Sequence, residues 1–215
     1  MDVEEFLWQH WEPLWSKTAI AQTTFDSLKR AYKEPLRHYH TLRHIAECVS
    51  DIADQPATCM RDVKLALFFH DWVYNPRASH ENEERSADTI QIFHMRYGFA
   101  PPDPDTANHI ARYILATRHT RGAPEVMNLS LEWDLCLVLD SDLAILGMSP
   151  ARFDEYEEQI RAEYSHVPDD IFRTSRSKIL EGFLTRPRIF RLPHFHTKYE
   201  KKARENIARS IAKLR

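Results

Sequence analysis

The stretch Leu65-Ala66-Leu67-Phe68-Phe69-His70-Asp71-Trp72 governs the reading of this chain. Five apolar residues run without a break into an adjacent histidine and aspartate. A helix that is apolar nearly all round lies inside a protein. A charged Asp71 at its end is costly unless it is paired, neutralised or bound to a cation. A neighbouring imidazole and carboxylate can both ligate one divalent metal from a single helix end. Taken alone, the dipeptide fits a buried His–Asp hydrogen bond better than a pair of metal ligands.

The composition around this stretch predicts an all-α chain. Only four glycines occur in 215 residues, at Gly98, Gly122, Gly147 and Gly182, where an average chain would hold roughly fifteen. No two are close, so neither the dinucleotide fingerprint nor the P-loop is present. Sandwiches and barrels need many turn residues with φ > 0, which this sequence hardly supplies. Prolines supply the breaks instead, at Pro13, Pro35, Pro56, Pro76, Pro124, Pro168, Pro187 and elsewhere. Between them fall roughly nine or ten helices, among them 38–54, 60–73, 82–98, 131–146 and 150–164. Ser149-Pro150 and Asp103-Pro104 each read as an N-cap followed by proline in the first turn. Trp8, Trp11 and Trp15 form a stripe that docks the first helix.

Charge and cysteines narrow the class. Net charge is −3, so there is no global electrostatic case for nucleic acid, and no duplex partner is expected. Cys48, Cys59 and Cys136 are odd in number and lack CxxC spacing, as buried thiols in a reducing compartment do. The first residues resemble no signal peptide, and no apolar run reaches the roughly eighteen residues of a membrane helix. The expectation is a cytoplasmic protein with no membrane partner, with its oligomeric state open.

Two further segments bear on the His–Asp pair. Arg37-His38-Tyr39-His40-Thr41-Leu42-Arg43-His44-Ile45 opens the preceding predicted helix. His40 and His44 are four residues apart, so on a helix they share a face and offer metal ligation or anion contact. The second segment, Leu135 to Gly147, is again apolar but carries Asp140 and Asp142. These lie about 200° apart on a helix, so only one can face inward. The width of the apolar stripe favours Asp142; the alternative to a functional role is that one of the two pairs with a buried arginine such as Arg43 or Arg118. Residues 74–82 are polar and irregular and read as a loop at a site mouth.

The order His, then His-Asp, then Asp on separate helices resembles the HD superfamily of metal-dependent phosphohydrolases. More closely, the chain is similar to a group described only as HD-superfamily phosphohydrolases. The shared phrases are Tyr39-His40-Thr41-Leu42-Arg43-His44-Ile45, Phe69-His70-Asp71-Trp72-Val73-Tyr74, Asn82-Glu83-Glu84-Arg85-Ser86-Ala87 and Asp140-Ser141-Asp142-Leu143 through Gly147. They span roughly residues 30–210 together with a stretch from Phe172 to Leu184. The chain departs from many two-metal members in having Trp72-Val73-Tyr74 where a lysine often follows the doublet.

The resemblance implies one HD-like domain over 1–215, with core motifs in 37–147 and a helical extension over 150–215. It implies His40, His70, Asp71 and Asp142 as ligands of a divalent ion, whether Mn, Mg, Fe, Co, Ni or Zn. It favours His40 over His44 and Asp142 over Asp140. Asp71 would also take a proton from water, and Glu83 would orient that water as a carboxylate base. Arg43, His44 and His119 would balance charge on a bound phosphate. The implied activity is hydrolysis of a phosphoester or phosphoanhydride in a small phosphorylated molecule such as a nucleotide. A non-catalytic nucleotide- or metal-binding regulator on the same fold is the alternative.

Overall fold

The computed structural model describes residues 2–78, 81–98, 105–118 and 132–215. Among them are ten α-helices and no strand, so the expected all-α architecture is what the chain adopts. The helices are α1 (Val3–Trp11), α2 (Thr18–Tyr32), α3 (Leu42–Asp51), α4 (Met60–Phe69) and α5 (Asn82–Tyr97). They continue with α6 (Thr106–Ala116), α7 (Trp133–Asp142), α8 (Pro150–Glu163), α9 (Asp169–Leu184) and α10 (Pro193–Leu214). Short 3-10 segments cover Glu12–Leu14 and Leu143–Gly147. None of the described helices is long and apolar enough to cross a membrane.

The chain groups into two compact units, Met1–Leu139 and Asp140–Arg215. The division falls inside α7, a little before the step from core motifs to helical extension read from the sequence.

In the first unit the apolar run of α4 is buried throughout, from Leu65 to Phe69. Trp11 is its main partner. Its ring stacks on Phe69 at 5.9 Å and meets Phe68 edge-on at 4.9 Å. Its indole N–H donates to the Ala21 carbonyl at 3.0 Å, which lets a polar nitrogen sit at zero exposure. Trp15 is also buried, and Trp8 lies edge-on to Phe25 at 5.3 Å, so the tryptophan stripe does dock α1. The start of α4 is pinned to α7. Asp134 accepts the backbone N–H groups of Thr58 at 2.8 Å and Cys59 at 2.7 Å, orphan donors ahead of a helix start.

The second unit is built from α8, α9, α10 and the 3-10 segment. Ser149 caps α8, accepting from the Arg152 N–H at 3.3 Å with Pro150 in the first turn, as expected from the sequence. The Asp103-Pro104 cap lies outside the described residues. Gly147 is required by close approach: a Cβ there would stand 2.5 Å from the Tyr199 Cβ and 2.7 Å from its carbonyl oxygen. The Asn206 amide donates to the carbonyls of Leu146 and Met148, each at 3.0 Å, closing the end of the same segment.

Three helix boundaries differ from expectation in ways that matter for the site. Helix α3 begins at Leu42, not 38, because Thr41 is extended (φ −116°, ψ 178°) and forms its N-cap. His40 therefore precedes the helix, and the same-face argument for His40 and His44 does not hold. Helix α4 ends at Phe69 and leaves His70 as its C-cap. Helix α7 ends at Asp142, where the chain tightens into the 3-10 segment.

Candidate metal centre

The buried α4 delivers His70 at its C-terminus, with Asp71 one residue beyond. His44 enters from the first turn of α3 and is also buried. Three ligand-type atoms converge. His44 Nε2 lies 3.1 Å from His70 Nε2, His70 Nε2 lies 3.0 Å from Asp71 Oδ2, and His44 Nε2 lies 3.7 Å from Asp71 Oδ2.

The tautomer of His70 follows from its other nitrogen. Nδ1 sits 2.8 Å from the Leu67 carbonyl oxygen, which can only accept, so Nδ1 carries a proton. In a neutral ring Nε2 then has a bare lone pair. That lone pair faces a carboxylate oxygen and a second imidazole nitrogen, both near 3 Å. Such a meeting needs a shared proton or cation: a proton added to His70, the Nε2–H of one His44 tautomer, or a metal ion among the three atoms.

The spacing suits a cation. Ligands about 2.1 Å from an ion stand roughly 3.0 Å apart at a right angle and about 3.4 Å apart in a tetrahedron. Two of the observed separations, 3.0 and 3.1 Å, fall in this range, and the third, 3.7 Å, is somewhat longer. The carbonyl bond on Nδ1 is also the usual outer support of an imidazole that ligates through Nε2. The donor set therefore fits a divalent ion of borderline character. Burial pushes the Asp71 carboxyl up, but the charges of His70, His40 and His44, with the hydrogen bond from His70, outweigh it and hold the group ionised.

His40 stands beside this trio. It stacks on Tyr74 at 4.1 Å with 27° between the rings, and its ring centre is 6.0 Å from that of His44. The structure thus brings His44, His70 and Asp71 together and sets His40 against them. The Cys48 thiol lies 3.6 Å from His44 Nδ1 and 3.9 Å from its Nε2.

The remaining sequence candidates fall as follows. Arg43 is exposed and pairs with Glu47 at 3.2 Å one turn along α3. Glu83 lies in the first turn of α5, where Arg118 approaches it at 3.6 Å and also pairs with Glu84. His119 lies outside the described residues. In the second unit, Asp140 is fully buried and Asp142 is half-buried. Both Asp140 oxygens are engaged: Arg191 N–H donates to Oδ2 at 2.8 Å and to Oδ1 at 3.1 Å, and Leu192 N–H donates to Oδ2 at 2.7 Å. The arginine side chain near Asp140 is Arg191, at 3.8 Å, and neither Arg43 nor Arg118 takes that place. The segment after Asp71 folds back on α5, with Asn75 N–H donating to Asn82 Oδ1 and Val73 N–H to Ser86 Oγ, both at 3.0 Å. This gives the shared Asn82 and Ser86 a structural use.

Sequence reasoning missed Arg37, which enters it only as the first residue of the segment that runs to Ile45. It is buried, and its guanidinium reaches the carbonyl oxygens of Asp71 at 2.6 Å, Trp72 at 2.9 Å and His40 at 3.3 Å. No periodicity marks such a residue, because its partners are main-chain atoms 34 and 35 residues away.

Comparison of the chain with family models, curated proteins and solved structures found no match.

Proposed function

We propose that this protein is a divalent-metal-dependent phosphohydrolase of the HD kind, acting on a small phosphorylated molecule such as a nucleotide. The observation that carries the proposal is the convergence of His44 Nε2, His70 Nε2 and Asp71 Oδ2 around one point, with the His70 lone pair aimed inward. These three residues would hold the ion, Mn, Mg, Fe, Co, Ni or Zn. When bound, it supplies Lewis-acid polarisation of a phosphoryl oxygen and a more acidic water.

The chain's own groups supply the rest. With Asp71 as its one carboxylate the centre would carry net positive charge and favour an anionic substrate, whereas Asp142 as a further ligand would make it neutral. The Leu67 carbonyl keeps His70 in the ligating tautomer. The Asp71 carboxylate, held ionised by its neighbours, would enter the ligand set as an anion through Oδ2. The motif order makes His40, stacked on Tyr74 beside the trio, a candidate ligand. The motif order adds Asp142 to the ligand set, and metal analysis of Asp142→Asn judges that addition separately.

The test is metal content and turnover. Purified protein, stripped and then reloaded with each candidate ion, is assayed for phosphate release from a panel of nucleotides and phosphoesters. Release that depends on the ion and stops on chelation supports the proposal. Metal uptake without turnover, with nucleotides still raising Tm, points to the regulator. Absence of metal uptake reduces the trio to buried hydrogen bonding.

A further inference from the structure

Among the described residues, the buried Arg37 has one acidic partner, and that partner is exposed. The Arg37 side chain is 1% exposed, while Glu34, at 3.0 Å, is 53% exposed. The guanidinium directs its other bonds to main-chain carbonyls on both sides of the proposed centre. Nη1 donates to the His40 and Asp71 oxygens, and Nη2 donates to the Trp72 oxygen. Its Cζ lies over two rings, Tyr32 at 4.8 Å and Tyr74 at 5.5 Å from the centroid.

Both rings also belong to the neighbourhood of the site. Tyr32 donates its hydroxyl to the Phe68 carbonyl at 3.0 Å, within the last turn of α4. Tyr74 stacks on His40. The turn before α3 and the turn after α4 are therefore tied to one planar cation.

We infer that Arg37 is the positioning residue of the His–Asp centre. One guanidinium, by joining the carbonyls of His40, Asp71 and Trp72, holds the two turns in the register that lets His44, His70 and Asp71 converge. The inference rests on the metal reading above. A lysine cannot replace it, because an ammonium is a point charge without the planar fork or the two stacking faces.

The test is the Kd for Mn²⁺ and Zn²⁺ of the full chain, measured well below Tm, in wild type, Arg37→Lys and Glu34→Gln. Imidazole resonances of His44 and His70 are followed in the metal-free proteins. Arg37→Lys is expected to weaken metal binding roughly tenfold to a hundredfold and to shift both imidazoles. Glu34→Gln, which removes only the exposed partner, stays within about threefold. An Arg37→Lys protein with lowered Tm but wild-type Kd and unshifted imidazoles would overturn the inference and leave Arg37 a support of the fold alone. If Arg37→Lys does not fold, Tyr74→Leu, which removes one of the two rings, takes its place, and an unchanged Kd there overturns the inference equally. Wild-type protein that takes up neither ion refutes the metal reading itself, and the inference falls with it. Uptake by wild type with unchanged variants refutes only the role of Arg37.

Discussion

Asp71 and Asp140 are both carboxylates set in apolar helical runs, one in each compact unit, and their surroundings differ in kind. Asp140 is fully buried and takes its hydrogen bonds from the backbone N–H groups of Arg191 and Leu192. Glu200 in the same unit accepts from the Ile189 and Phe190 N–H groups, at 3.0 and 3.1 Å, and also pairs with Arg204 at 2.7 Å. The backbone donors cannot leave, so the two acids fasten the 189–192 segment. Asp71 instead faces imidazoles, whose nitrogens lose a proton easily and can share a cation with the carboxylate. An acid satisfied by the main chain holds the fold. An acid satisfied by titrating side chains is available for chemistry.

The largest expected effect separates the two directly. Asp71→Asn should lose more than about a hundredfold in Mn²⁺ or Zn²⁺ affinity, roughly 3 kcal/mol, as read by titration of metal-stripped protein. The comparison breaks if metal-free Asp71→Asn also falls in Tm as far as Asp140→Ala does.

Asp140→Ala comes next. It leaves the N–H groups of Arg191 and Leu192 without their acceptor and should cost about 2 kcal/mol in denaturant unfolding, with metal affinity kept. A variant that unfolds normally but loses metal would make Asp140 a member of the centre.

The smallest effect is expected at Arg43. Its pairing with Glu47 is exposed, so Arg43→Ala should change stability by no more than about 0.5 kcal/mol. If Arg43 meets a phosphate, the same variant raises KM without lowering metal content, which steady-state kinetics would separate from its unfolding curve.

Much of the fold was legible because helical signals are local. Proline positions, the Ser149-Pro150 cap and the apolar run of 65–69 depend on residues within a turn or two of each other. The importance of His70-Asp71 was legible for the same reason: a charge at the end of a buried helix needs a partner whatever that partner is. The identity of the histidine that meets it was not legible. Starting α3 at 38 puts His40 and His44 on one face, whereas the extended Thr41 starts the helix at Leu42. His44 reaches His70 from inside α3, while His40, stacked on Tyr74, acts on Asp71 from the turn before it. Stripe width likewise ranked Asp142 inward of Asp140, yet Asp140 is the more deeply buried, because 191–192 supplies its donors.

The sequence alone determined a helical chain and marked the His–Asp pair as a buried charge needing compensation. Only the tertiary structure decided which groups compensate it. The bonds of Arg37, His44 and Asp140 join residues 34, 26 and 51 positions apart. Periodicity reports which face of an element is apolar, and it carries no information about which distant polar atom that face will meet.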